Sequence, residues 1–137
     1  MAEAIIFIGL QGAGKTTYYK SVLAPTHALL SLDVQKTKAL GMLLDACIAE
    51  GRSFAVDNTN ATRAARAPYI RKAREAGYRV IACYFDVPTR TAIGRNNHRT
   101  DKRPIPVAAI LKTAKQMETP TEAEGFDEIR VLGETGK

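Results

Sequence analysis

The chain has 137 residues, 45% hydrophobic and 25% charged, the balance of an ordinary globular protein. That length supports one domain, residues 1–137, and leaves little room for a second one such as a phosphatase or ligase. Twenty Lys and Arg against fourteen Asp and Glu give a formal charge of +6, which favours polyanions, nucleic acid and nucleotide polyphosphates alike.

The first element is an apolar run over residues 4–8, a predicted strand that stops at Gly9. It is too short for a signal-peptide core, and no run elsewhere approaches the ~20 residues of a membrane span, so the expectation is a cytoplasmic protein with no membrane partner. The strand runs into "GLQGAGKT", which fits G-x-x-x-x-G-K-[ST], the pattern of a phosphate-binding loop, with a helix predicted over 14–23. Glycines let the loop turn its N–H groups inward, and the helix start adds partial positive charge, so phosphate oxygens meet donors and charge together. The loop residues Gly9, Gly12, Ala13, Gly14, Lys15, Thr16 and Thr17 are therefore assigned to a nucleotide. Lys15 is expected on the β and γ phosphates and the Thr16 hydroxyl on Mg²⁺. The bland alternative is a glycine turn that only joins a strand to a helix.

Downstream, strands are predicted over 28–32, 53–57, 78–85 and 128–132, with helices over 35–50, 60–76, 88–97 and 105–117; residues 133–137 read as a frayed tail. Alternation of this kind predicts an α/β fold, a five-stranded parallel sheet with helices on both faces. Analogy with small P-loop kinases gives the strand order 2-3-1-4-5. Cys47 and Cys83 fall in helical and strand patterns without metal-ligand spacing and read as buried reduced thiols.

A parallel sheet gathers all strand C-termini on one edge, where ligands bind. Asp33, Asp57 and Asp86 each end a predicted strand and approach the loop there. A kinase needs one carboxylate near Mg²⁺ and one that orients the attacking hydroxyl. Asp57 suits the metal's water shell, with a helix cap as its alternative. Asp33 suits the general base, because the second strand's end commonly faces the acceptor in small P-loop kinases. Asp86, just ahead of Val87-Pro88, reads as a cap for the helix that follows. The segment "GRNNHRTDKRP" gathers Arg95, Arg99, Lys102 and Arg103. A solvated loop and a short lid over the triphosphate are the two readings; arginines there would neutralise the transferring phosphoryl group. His98 reads as a surface or phosphate-adjacent residue and His27 as structural.

The stretches "VDNTN", "RAARAPYIRKAREAG", "FDVP", "RNNHR", "PIP" and "PTEAEGF", in that order after the loop, resemble the kinase domain of the polynucleotide 5′-kinases of phage and animal end-repair enzymes. The resemblance spans Asp57 to Ile129 together with the phosphate loop. It implies a single-domain P-loop kinase that uses ATP, with GTP left open, and Mg²⁺ to phosphorylate 5′-hydroxyl ends of DNA or RNA. By the same resemblance Asp33 activates the 5′-hydroxyl, Asp57 is the acid of the D-x-T-N-like stretch, and Arg99 holds nucleotide phosphates as a lid arginine, with Arg95 beside it. The loop from Pro120 to Phe126 would wall the adenine side. Two departures stand out: Ser31-Leu32 replaces the Asn-Arg that often precedes the family's aspartate, and Lys36 stands where the phage enzyme has an arginine. A lysine there can neutralise a substrate phosphate but cannot form a bidentate fork. Lys36 and Asp57 are placed with Asp33 on the acceptor side. Two rivals are a small-molecule kinase for a sugar, nucleoside or metabolite and a nucleotide-binding module without turnover. DNA or RNA preference, oligomeric state and protein partners are not legible.

Overall fold

Ile5, Ile6, Phe7 and Ile8 have no solvent exposure at all, which places the first strand at the centre of the sheet. In the computed structural model, which describes residues 2–98 and 104–133, β1 (Glu3–Ile8) pairs with β3 (Phe54–Val56) on one side and β4 (Arg79–Phe85) on the other. β2 (Ala28–Leu30) lies beyond β3 and β5 (Glu128–Leu132) beyond β4. All five strands are parallel, as their alternation with helices predicts, and their order is β2-β3-β1-β4-β5, the one expected by analogy with small P-loop kinases.

Alternate residues of β1 face opposite layers, the period-two rule of a strand. Ala4, Ile6 and Ile8 pack with Leu40 and Leu44 of α2 (Thr37–Glu50) and with Ile70 and Ala73 of α3 (Arg63–Glu75). Ile5 and Phe7 pack with Tyr19 and Leu23, which follow α1 (Lys15–Tyr18) in a π-helical turn. Ala92 of α4 (Thr89–Asn97) and Ile110 of α5 (Val107–Gln116) complete that layer. Each large apolar side chain buried this way stabilises the fold by about 1.5–3 kcal/mol.

The helix starts differ from expectation for local reasons. α2 begins at Thr37, not 35, because Val34 and Gln35 donate their N–H groups to Ser31 O and form a turn. α3 begins at Arg63, not 60, because Asn60 takes a left-handed conformation with φ 45°; Thr62 is the cap, accepting from Ala65 N at 3.1 Å. The capping role expected of Asp86 is not what the fold shows. Pro88 occupies the N-cap of α4 with no side-chain cap, while Asp86 is exposed and gives its N–H to Leu132 O at 2.8 Å. Asp86 thus ties the edge strand β5 to the end of β4.

His27 is structural, as expected: its Nε2 pairs with Glu3 Oε2 at 3.0 Å far from the strand C-termini. Cys47 and Cys83 are free and buried. No helix among the described residues is long and apolar enough to cross a membrane.

Candidate functional site

The sheet brings the end of β1 and the ends of its neighbours to one edge, and the phosphate loop starts there. Gly9 donates its N–H to Thr59 O at 3.0 Å, and a Cβ on Gly9 would lie 2.9 Å from Phe85 Cβ, so β3's exit and β4's end both press on the loop's first residue. Gly12 has φ 84°, and a Cβ there would meet Ala92 O at 2.4 Å. Only glycine permits that backbone path so close to α4.

Inside the loop, Lys15 is 8% exposed and its Nζ donates to Gly9 O at 2.9 Å and Leu10 O at 2.7 Å. Its charge is thereby directed into the loop rather than into bulk water. Thr16 donates its hydroxyl to Asp57 Oδ2 at 2.8 Å, and Asp57 is itself buried. The sequence placed Thr16 and Asp57 together, and the fold does so because Asp57 directly follows β3, β1's neighbour. The alternative of Asp57 as the cap of α3 drops out, since Thr62 does that.

This donor set fits a hard divalent cation. It offers a hydroxyl and a carboxylate oxygen, and Mg²⁺ characteristically takes one or two protein oxygens and fills its shell with water and phosphate. Among the described residues no group of three or more His, Cys, Asp or Glu gathers as a ligand set.

Asp33 lies three residues past the end of β2, exposed, in the turn that ends at Gln35. Its N–H donates to Ser31 Oγ at 3.2 Å, and Leu32 N donates to Asn58 Oδ1 at 2.9 Å, so the turn is laced to the residue after Asp57. Lys36 is the N-cap of α2 without a side-chain cap bond, and Asp33 does not cap that helix either. Thr17 is exposed and Ala13 buried against the second core layer.

On the far side of the loop, Arg95 Nη1 donates to Ala13 O at 3.2 Å, so one of the expected basic residues does reach the loop. Arg99, Lys102 and Arg103 lie outside the described residues. Exposed His98 bonds its Nδ1 with Gly94 O at 2.8 Å. Asn96 has no solvent exposure: its Nδ2 donates to Ile105 O at 2.7 Å and its Oδ1 accepts from Ile105 N at 2.9 Å. Its spacing of four from buried Ala92 is the signal that marks it as inward-facing.

A cavity of about 350 Å³ opens beside Leu10, lined by Asp86, Pro88, Thr89, Met117 and Thr119 among others. Pro120 is buried and does not line it. The stretch from Thr121 to Phe126 instead packs on α3: Gly125 sits against Ile70 and Arg74, and Phe126 enters the core.

The AAA domain family matches residues 34–122, a stretch that begins after the phosphate loop and contains Asp57. The chain belongs to the AAA domain family. This AAA domain is also 29% identical, over 138 residues and 95% of its length, to a mimivirus protein (Acanthamoeba polyphaga mimivirus) named as a bifunctional polynucleotide phosphatase/kinase. The chain spans 33% of that relative's length. Among solved structures it resembles a sugar kinase from Janibacter sp. HTCC2649, with a TM-score of 0.73 at 18% identity, covering 100% of this chain and 88% of the other. It also resembles a fungal RNA kinase, with a TM-score of 0.67 at 18% identity, covering 96% and 77%. Those two likenesses establish the fold of a P-loop kinase.

Proposed function

We propose that the chain is an ATP-dependent kinase that phosphorylates the 5′-hydroxyl of DNA or RNA. The observation that carries this reading is the Thr16–Asp57 contact at the mouth of the phosphate loop. The polynucleotide acceptor is supported by the mimivirus relative's name, by the family-like segments from Asp57 onward and by the formal charge of +6.

Lys15 and the loop amides hold the γ-phosphoryl group, Arg95 and Arg99 neutralise its oxygens, and Asp33 orients the acceptor. Thr16, and Asp57 through water, are the residues that would hold Mg²⁺. When bound, that ion supplies charge neutralisation across the β and γ phosphates. In the transfer the 5′-oxygen bonds to the γ-phosphorus as the bond to the β,γ-bridging oxygen breaks. ADP leaves with the electron pair, and the hydroxyl proton passes to Asp33. Most of the rate comes from positioning and charge, with the base adding about 10² to 10⁴.

Exposed Leu32 and Val34 flank Asp33 and favour a second reading, a small and less anionic acceptor. Transfer of labelled γ-phosphate to a panel of oligonucleotides, nucleosides and sugars separates the two. The expected result is phosphorylation of 5′-hydroxyl oligonucleotides, binding that weakens with salt through counterion release, and loss of transfer in Lys15→Ala. A panel in which only a metabolite is phosphorylated replaces the polynucleotide reading with the second one.

A further inference from the structure

Arg66 has no solvent exposure, and no step above uses it. Its Nε donates to Asn60 O at 2.8 Å, and Nη2 donates to Ala61 O at 3.0 Å and to Glu118 O. Nη1 donates to both carboxylate oxygens of Glu124, at 3.1 and 3.0 Å. Every nitrogen of the guanidinium is therefore engaged, and one side chain spans two remote segments: the exit of β3 and the connection from α5 to β5. Glu124 is itself fixed, accepting from Thr121 N at 2.9 Å. Glu118 N returns a bond to Ala61 O at 2.7 Å.

What this fork holds is the stretch that touches the phosphate loop. Asn60, in its left-handed conformation, donates Nδ2 to Phe7 O at 2.7 Å, and Thr59 O accepts from Gly9 N at 3.0 Å. At the other end, Asp57 N donates to Leu30 O at 2.8 Å. The Asp57 carboxylate thus hangs on a short stretch pinned upstream by the sheet and downstream by Asn60, whose carbonyl Arg66 grips. A side chain outside the ligand set that fixes a ligand's orientation typically matters 10- to 100-fold, in the range of about one to two orders of magnitude.

We infer that Arg66 is a positioning residue for the nucleotide–metal site, acting through Asn60 to hold the Asp57 carboxylate against Thr16. The inference rests on the phosphotransferase reading for its chemistry, but it is tested first without an acceptor. A purely architectural role would lower stability and leave the folded fraction's response to Mg²⁺ unchanged. A positioning role alters that response.

The test uses the full chain with Arg66→Lys, which keeps the charge and loses the fork, and Asn60→Gly, which keeps the backbone conformation and loses the amide bond to Phe7. Thermal unfolding sets a temperature at which each variant is folded. The affinity of a fluorescent ATP analogue is then measured with Mg²⁺ and with EDTA, followed by single-turnover transfer. We expect the factor by which Mg²⁺ tightens nucleotide binding to shrink about tenfold or more in both variants, with transfer falling in parallel. Folded variants that keep that factor within about twofold of wild type overturn the inference, as does a wild-type protein whose nucleotide affinity ignores Mg²⁺. If Arg66→Lys does not fold, Glu124→Gln, which weakens the fork from its far end and leaves Asn60 in place, decides by the same criterion, because Asn60→Gly keeps the carbonyl that Arg66 grips and reports only on the amide bond to Phe7. A wild type that binds Mg²⁺-nucleotide but phosphorylates no oligonucleotide removes the polynucleotide reading alone, and the binding factor still judges Arg66.

Discussion

Thr16 and Asp57, forty-one positions apart in sequence, meet through a 2.8 Å hydrogen bond from hydroxyl to carboxylate. Asparagine at position 57 could still accept that bond but carries no charge to offer a cation. Asp57→Asn should fold normally, bind ATP in EDTA as wild type does, and lose transfer by about 10- to 100-fold at limiting Mg²⁺. Titrating Mg²⁺ against single-turnover rate checks this. A variant with the wild-type Mg²⁺ curve would remove Asp57 from the metal's shell.

Asp33 and Asp86 lie exposed on the same edge of the sheet, and neither caps a helix. Asp33→Asn should bind Mg²⁺-ATP yet transfer phosphate slower by about two orders of magnitude or more, the scale of a lost base. Asp86→Asn, whose backbone bond to Leu132 survives the change, should stay within a few-fold of wild type. Single-turnover transfer for the pair decides between the two strands as the source of the base.

Gly12 and Gly41 make a second matched pair. Alanine at Gly12 would put a Cβ 2.4 Å from Ala92 O on a backbone of φ 84°, which only a shift of the loop or of α4 relieves. Gly12→Ala should cost about 1–3 kcal/mol or weaken nucleotide binding, as overpacking does. Gly41 lies inside α2 with nothing within 4 Å, so Gly41→Ala should stabilise by about 0.5–1 kcal/mol. Urea unfolding and nucleotide titration of both variants measure the contrast.

Burial in the sheet pushes the Cys83 thiol from 9.0 up to about 12, with Arg130 opposing. The folded chain keeps this proton while the unfolded chain releases it. The stabilisation is therefore complete below pH 9 and is lost as pH rises toward 12. Its slope is at most about 1.4 kcal/mol per pH unit. Cys47 and the buried tyrosines have raised values too, so the difference between wild type and Cys83→Ala isolates the one thiol. The variant's urea midpoint should fall less steeply above pH 9; equal slopes would place the thiol elsewhere in the balance.

The strands were legible because a doubly covered parallel sheet demands continuous apolar runs, and Ala4–Ile8 and Val80–Phe85 supply them. The Thr16–Asp57 meeting was legible for a topological reason: parallel strands next to each other deliver their ends to the same edge. Asp86 misled because a carboxylate shortly before a helix usually caps it, whereas here Val87 turns inward and Pro88 takes the cap position. Arg66 was hidden among the basic residues of "RAARAPYIRK", a composition that suggests a solvated face. Its phase with Ile70 and Ala73, four and seven positions on, shows which face it belongs to. Composition hides such a residue, and periodicity finds it.

The paired bonds between Asn96 and Ile105 have an architectural consequence. They fasten the two ends of the intervening chain to each other independently of whatever runs between them. The last turn of α4 is thereby stitched to the residue that leads into α5, so the two helices are held to each other close to Arg95, whose guanidinium bonds Ala13 O, and the wall on that side of the phosphate loop moves as one piece with the α4–α5 pair.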